Sequence, residues 1–177
     1  MIFAFVALFV VVSAAQAQKI TVDVDKALDF KTFKTFAWGS GQIAPKTSTS
    51  QMIIAAIERE LTSRGLTKND AAPDIQISVM AAVGMDLQGI GPSWNNERYK
   101  SWGGYGNPAA LMNVTTGSML IDLIETKNKY SVWRGVVKDV FVAQPSNDPL
   151  ADARQMEKLV NKTIAKMFKK YPVKPTK

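Results

Sequence analysis

The chain is 177 residues long, has no cysteine and no histidine, and carries 22 Lys plus Arg against 15 Asp plus Glu, a formal net charge of +7. Without cysteine there is no disulfide framework, no thiol nucleophile and no sulfur to receive a lipid. Without histidine the commonest general base and transition-metal ligand are missing, which excludes Cys-protease, zinc-hydrolase and Ser-His-Asp chemistry on composition.

The N-terminus opens on an apolar run from Ile2 to Val12, followed by Ser13-Ala14-Ala15-Gln16-Ala17. A short apolar stretch ending in Ala-x-Ala reads as an export signal cleaved between Ala17 and Gln18, although its n-region has no Lys or Arg. A spanning helix needs about 20 apolar residues, and Ser13 and Gln16 interrupt this run earlier. The expectation is a signal peptide over 1–17 and a single domain over 18–177 with one core, periplasmic or secreted and not lipid-anchored through Cys.

Lys19 to Asp25 alternates polar and apolar residues as a half-buried strand does, with Ile20, Val22 and Val24 facing the core. Thr35-Phe36-Ala37-Trp38 suits a short second strand. After a loop from Gly39 to Thr47, Ser48 and Gln51 have capping-box spacing, and Ile53, Ile54, Ile57 and Leu61 share one face of the helix that follows. Gly65 ends that helix, with Leu66 placed for the apolar contact that accompanies a left-handed cap. From Pro73 on, Ile75, Ile77, Val79, Ala81, Val83, Met85 and Leu87 recur at period two, the clearest strand in the chain.

Gly89 to Asn113 is too long and irregular for a simple connection. It lacks the Gly-Lys-Ser/Thr of a phosphate loop, and Gly89-x-Gly91 has no third glycine. Its rings, Trp94, Tyr99, Trp102 and Tyr105, are the candidate ligand-binding residues: they stack on sugars or peptides, fold back on the sheet as a satellite cluster, or sit on a segment without order. Two strands follow, Val114 to Glu125 and Tyr130 to Val142, spaced as an antiparallel hairpin across Thr126-Lys127-Asn128-Lys129. Met119, Ile121 and Leu123 point one way and Trp133, Val137 and Phe141 supply the partner's bulk, while Asp122 opposite Arg134 makes a structural cross-strand pair with Arg134 exposed.

Asp152 to Tyr171 has helical period, with Met156, Leu159, Val160, Ile164, Met167, Phe168 and Tyr171 as its apolar stripe. The excess charge of the chain lies here. Through Glu157 fifteen basic and fifteen acidic residues balance, whereas Lys158, Lys162, Lys166, Lys169, Lys170, Lys174 and Lys177 follow without a carboxylate. A solvated helix end accounts for such a run without any partner, since cations near a helix C-terminus are favoured by about 0.3–1 kcal/mol each. The functional reading is attraction to an anionic envelope surface, with Lys166, Lys169, Lys170 and Lys174 as the candidate contacts. The element order β-β-α-β-β-β-α predicts a two-layer α+β sandwich, a mainly antiparallel or mixed sheet of about five strands carrying two amphipathic helices.

No catalytic constellation emerges from the remaining carboxylates. Asp23, Asp25 and Asp29 lack the turn glycine and bidentate Glu of a calcium loop, and Glu58 and Glu60 point to different helix faces. No metal and no cofactor is expected.

Several segments together resemble a known family: Val22-Asp23-Val24-Asp25 with Asp29-Phe30-Lys31-Thr32-Phe33-Lys34-Thr35-Phe36-Ala37-Trp38, Ile57-x-x-Glu60-Leu61-x-x-Arg64-Gly65-Leu66, Pro73-Asp74-Ile75, Gly117 to Leu123, Val132-Trp133-Arg134-Gly135 and Phe168-x-x-Tyr171-Pro172. In order and spacing they resemble the bacterial envelope family designated domain of unknown function 4136, over nearly the whole mature chain. That resemblance implies a fold and an envelope compartment but no reaction. Members are mostly lipoproteins, and the absence of cysteine here departs from that pattern. The expectation is a non-catalytic envelope module that binds a protein, a glycan or an anionic membrane surface, with nucleic acid a poor partner for an exported chain. The alternative is a hydrolase using Asp/Glu chemistry on an envelope polymer.

Overall fold

In a computed structural model of the chain, residues 20–39, 48–82, 118–138 and 147–176 are described. The apolar alternation at their start forms β1 (Ile20–Val24), and a single 3-10 turn at Phe30–Thr32, capped by Asp29, leads into β2 (Thr35–Trp38). Helix α1 spans Ser48–Thr62, with Ile53, Ile57 and Leu61 buried and Ile54 at its margin. Strands β3 (Thr67–Lys68), β4 (Ile75–Ala82), β5 (Ser118–Glu125) and β6 (Ser131–Val137) follow, and α2 (Pro149–Phe168) closes the fold.

The six strands form one mixed sheet in the order β1-β6-β5-β4-β2-β3. The hairpin expected between β5 and β6 is present, with Leu123 opposite Trp133 and Asp122 opposite Arg134, and a register shift after Leu123. Lys129 takes the left-handed conformation in its turn, at φ 59. Two features go beyond the sequence expectation. The sheet gains β3, too short to show a period, and β2 lies parallel to both β3 and β4, an arrangement that the strand pattern does not specify. Parallel neighbours need a crossover, which α1 supplies; β1 lies at the far edge, antiparallel to β6.

Period two along the strands becomes layer position. Ile75, Ile77, Val79, Met119, Ile121, Leu123, Trp133 and Val137 are all buried in one cluster with Ile53, Ile57, Leu61, Val160, Ile164, Met167 and Phe168 from the helices. Both helices therefore cover the same sheet face, the two-layer α+β arrangement read from the pattern. Gly65, at φ +87, ends α1 in a Schellman motif: Leu66 N donates to Leu61 O at 3.2 Å, Gly65 N to Thr62 O at 3.0 Å, and Leu66 is buried.

The C-terminal ends of α1 and α2 meet at Arg64. Its guanidinium is buried; Nη1 donates to Glu60 Oε2 and to Glu60 O, each at 2.7 Å, and Nη2 donates across to Phe168 O at 3.0 Å. The group also lies 5.5 Å above the Phe168 ring and 6.0 Å above that of Tyr171. A cation at two converging helix C-termini meets the negative end of both dipoles. Around it Trp133 stacks on Phe168 at 4.8 Å, and Tyr171 packs edge-on against Phe30 at 5.3 Å.

Gly135 makes room for this cluster on β6. A Cβ there would lie 2.5 Å from Met167 Cε and 2.7 Å from Trp133 Cη2. The methionine end can swing away, but the indole is fixed by its stacking on Phe168. Gly135→Ala should therefore destabilise the protein by about 1–3 kcal/mol through overpacking. Urea denaturation with an unchanged m-value would register this; wild-type stability would mean that the indole is free to shift.

Candidate functional site

Helix α2 presents the chain's excess charge. Asp148 caps it, its carboxylate accepting from Leu150 N at 2.9 Å and Ala151 N at 3.0 Å, and Pro149 occupies the first turn. The helix thus starts three residues before the sequence expectation and ends at Phe168, three before Tyr171. The Asp-Pro pair is the N-cap and N1 signal that marks this start in the sequence. Val160, Thr163, Ile164, Met167 and Phe168 face the sheet and are buried.

On the opposite side Arg154, Lys158, Lys162, Lys166 and Lys169 are all exposed. At 3.6 residues per turn they fall within an arc of about 120° and extend for roughly 22 Å along the axis. None of them forms an ion pair among the described residues. Neighbouring α1 adds Arg59, also exposed, whose Nη2 donates to Asn161 Oδ1 of α2 at 3.0 Å. Lys169 is the C-cap and still has helical dihedrals; Lys170 and Lys174 are exposed too, but they lie beyond that cap. There the chain turns back over the end of α1, where Thr176 N and Oγ1 donate to Ser63 O at 2.8 and 3.0 Å. Of the four lysines singled out from the sequence, Lys166 and Lys169 share the stripe, and Lys170 and Lys174 lie beyond it. The tail that looked like the site is the end of a face beginning at Arg154.

The second sheet face carries a buried ion pair. Arg134, expected to be exposed, is 5% exposed and Asp122 2%. Arg134 Nε donates to Asp122 Oδ1 and Nη2 to Oδ2 at 2.6 Å, while Ser131 Oγ donates to Oδ1 at 2.9 Å. Strand alternation explains the placement: Trp133 and Gly135 point at the helices, so Arg134 projects to the other side. The sheet is closed to solvent there as well, with Leu120, Ile124 and Ser78 buried. The register sets Asp23 of β1 and Asp122 of β5 on either side of Arg134.

The remaining carboxylates serve the backbone. Asp23, Asp25 and Asp29 accept from Val24 N, Ala27 N and Lys31 N. Asp74 accepts from Lys34 N at 2.8 Å and from Thr35 N at 2.9 Å; the Lys34 amide, foremost, holds its pKa below the usual carboxylate range. Glu58 accepts from Trp38 Nε1 and pairs with Lys68, whereas Glu60 turns to Arg64, so the two point apart. Burial pushes the Tyr171 phenol well above its ordinary pKa. Among the described residues no three His, Cys, Asp or Glu side chains converge on a metal position, and no helix is long and apolar enough to cross a membrane. The signal segment 1–17 and Trp94, Tyr99, Trp102 and Tyr105 lie outside the described residues.

A six-stranded mixed sheet with two helices on one face defines a two-layer α+β class of domain. The chain belongs to the family described as Domain of unknown function (DUF4136), whose model matches residues 20–173. A DUF4136 family protein from Bacteroides thetaiotaomicron superposes with a TM-score of 0.56 at 16% identity, over 84% of this chain and 95% of that one. A PDZ domain protein from Parabacteroides distasonis superposes with a TM-score of 0.52 at 21% identity, over 90% of this chain but 36% of its own length. At those identities the likeness is one of fold. No curated protein matches the chain.

Residues that carry the family resemblance converge in space: Phe30, Arg64, Trp133, Phe168 and Tyr171 form one buried cluster, and Asp122 and Arg134 one buried pair. Removing one member of that pair leaves the other charge buried and alone. Asp122→Leu or Arg134→Leu alone should cost about 3–5 kcal/mol, and the double substitution should recover most of that loss. A double-mutant cycle by urea denaturation measures the coupling; additive single effects would show that the two charges do not depend on each other.

Proposed function

We propose that the chain is an exported, non-catalytic protein of the bacterial cell envelope that works as a binding module. One observation carries this reading: the buried charged side chains of the described residues, Arg64, Asp122 and Arg134, are committed to bonds within the fold, while unpaired cations gather on the outer face of α2. A hydrolase of the Asp/Glu type needs one carboxylic acid and one carboxylate facing a substrate. Both oxygens of Asp122 are instead held by Arg134. The compartment rests on the apolar run from Ile2 and its Ala-x-Ala end at Ala17, read as an export signal.

Fractionation of the native bacterium with N-terminal sequencing tests the compartment. A mature chain starting at Gln18 in the periplasm or the medium is expected; an uncleaved chain in the cytoplasm would contradict it. Incubating the purified protein with peptidoglycan and other envelope polymers tests the absence of catalysis. No product should accumulate, and turnover lost on replacing a single carboxylate would overturn the reading in favour of a hydrolase.

A further inference from the structure

We infer that the outer face of α2, built from Arg154, Lys158, Lys162, Lys166 and Lys169 with Arg59 beside them, docks the protein flat on a bilayer leaflet bearing anionic phospholipid headgroups. The inference rests on the binding-module reading and names the partner of that module.

Charge complementarity is the first argument. Four cations of α2 and the C-cap Lys169, which keeps helical dihedrals, are exposed on the side opposite the buried one, so a surface laid along the axis faces all five. A leaflet is such a surface, and its lipids diffuse to match the spacing of the cations. The exposed position interleaved with them, Gln155, is polar; Leu150, one turn before Arg154 in the same i+4 row, is the large apolar side chain exposed at the end of the face, and exposed Glu157 lies beside the arc, so binding is chiefly through the excess of cations. A single-stranded nucleic acid would be met by aromatic rings between the cations, and no ring lies on this arc. A polysaccharide chain is met by a groove that buries it, whereas this surface is the outside of a helix layer.

Orientation is the second argument. The face keeps its aim because α2 is fixed at both ends and along its length: by the Asp148 cap, by Val160, Ile164 and Met167 in the core, and by Arg64 at the carbonyl of Phe168. The cations need no folding on contact, so ordering adds little to the cost of binding.

Co-sedimentation of the purified protein with phosphatidylcholine vesicles, with and without about one third phosphatidylglycerol, tests the inference at low ionic strength. Each lysine near the surface should multiply partitioning about fivefold, so replacing Lys158, Lys162, Lys166 and Lys169 with Gln should weaken it by several hundredfold. Replacing the same four by Arg should leave binding intact and so exclude misfolding as the cause. A charge-matched control, with Lys26, Lys31, Lys34 and Lys127 changed to Gln, should retain binding within a few-fold. Salt at 0.5 M should abolish wild-type binding. Equal losses in the two Gln variants, binding to pure phosphatidylcholine, or absence of wild-type binding would each overturn the inference. So would tighter capture by heparin that survives the salt which releases the vesicles, since that would assign the face to a polyanionic chain. Because the assay uses purified protein, its failure leaves the compartment and non-catalytic reading standing, and a cytoplasmic location would leave a positive vesicle result standing.

Discussion

The fold turns on one buried guanidinium. Arg64, just past the end of α1, reaches back to the Glu60 side chain of that helix and across to the carbonyl of Phe168 at the end of the other, while its plane rests near the Phe168 and Tyr171 rings. Two helix C-termini packed side by side leave orphan carbonyls and two negative dipole ends in a poorly solvated corner. One Arg answers both, where Lys would supply a point charge and no planar fork. The left-handed turn at Gly65 follows at once, sends Leu66 into the core and lets the chain leave for β3. The same contact holds the C-terminal end of α2, while Val160, Ile164 and Met167 seat the rest of the helix on the sheet and so set the direction in which its lysines point.

Much of this architecture is legible in the sequence, for a physical reason that also marks where legibility ends. Ile75, Ile77 and Val79 announce a strand because one side of a sheet is dry, and Ile53, Ile57 and Leu61 announce a helix because one stripe is. Neither pattern names a neighbour. The parallel position of β2 between β3 and β4 depends on a crossover, and β3 is two residues long, too short for any period. Arg134 looked exposed because alternation turns it away from the helices, and a charged residue at such a place usually meets water. The sheet is dry on its second face too, and the carboxylate that makes burial tolerable, Asp122, lies one strand away. The basic face shows in the sequence as a run of lysines, whereas Arg154 belongs to it through the helix start at Asp148-Pro149 and Arg59 through the packing of the neighbouring helix.

The segments through which this chain resembles its family thus largely close its core. Phe30, Arg64, Trp133 with Gly135, and Phe168 with Tyr171 come from four separate stretches of sequence and meet in one cluster in space. Such residues specify a scaffold, and they leave its outer surfaces open to carry different tasks. Among the described residues of this chain, the side of α2 facing away from the sheet gathers Arg154, Lys158, Lys162, Lys166 and Lys169 without an ion pair. A rigid scaffold that presents a fixed array of cations has a plain use at a charged boundary, since the array meets its partner without rearrangement.

The claim that Arg64 ties the two helix ends together is tested most directly by amide hydrogen exchange on Arg64→Met under native conditions. If the guanidinium is the shared support, protection should fall together in the last turn of α1, Arg59 to Thr62, and in the last turn of α2, Ala165 to Phe168, while the β4–β5 amides keep theirs. Loss confined to α1, with the end of α2 protected as in the wild type, would contradict the account and reduce Arg64 to a helix cap of its own helix.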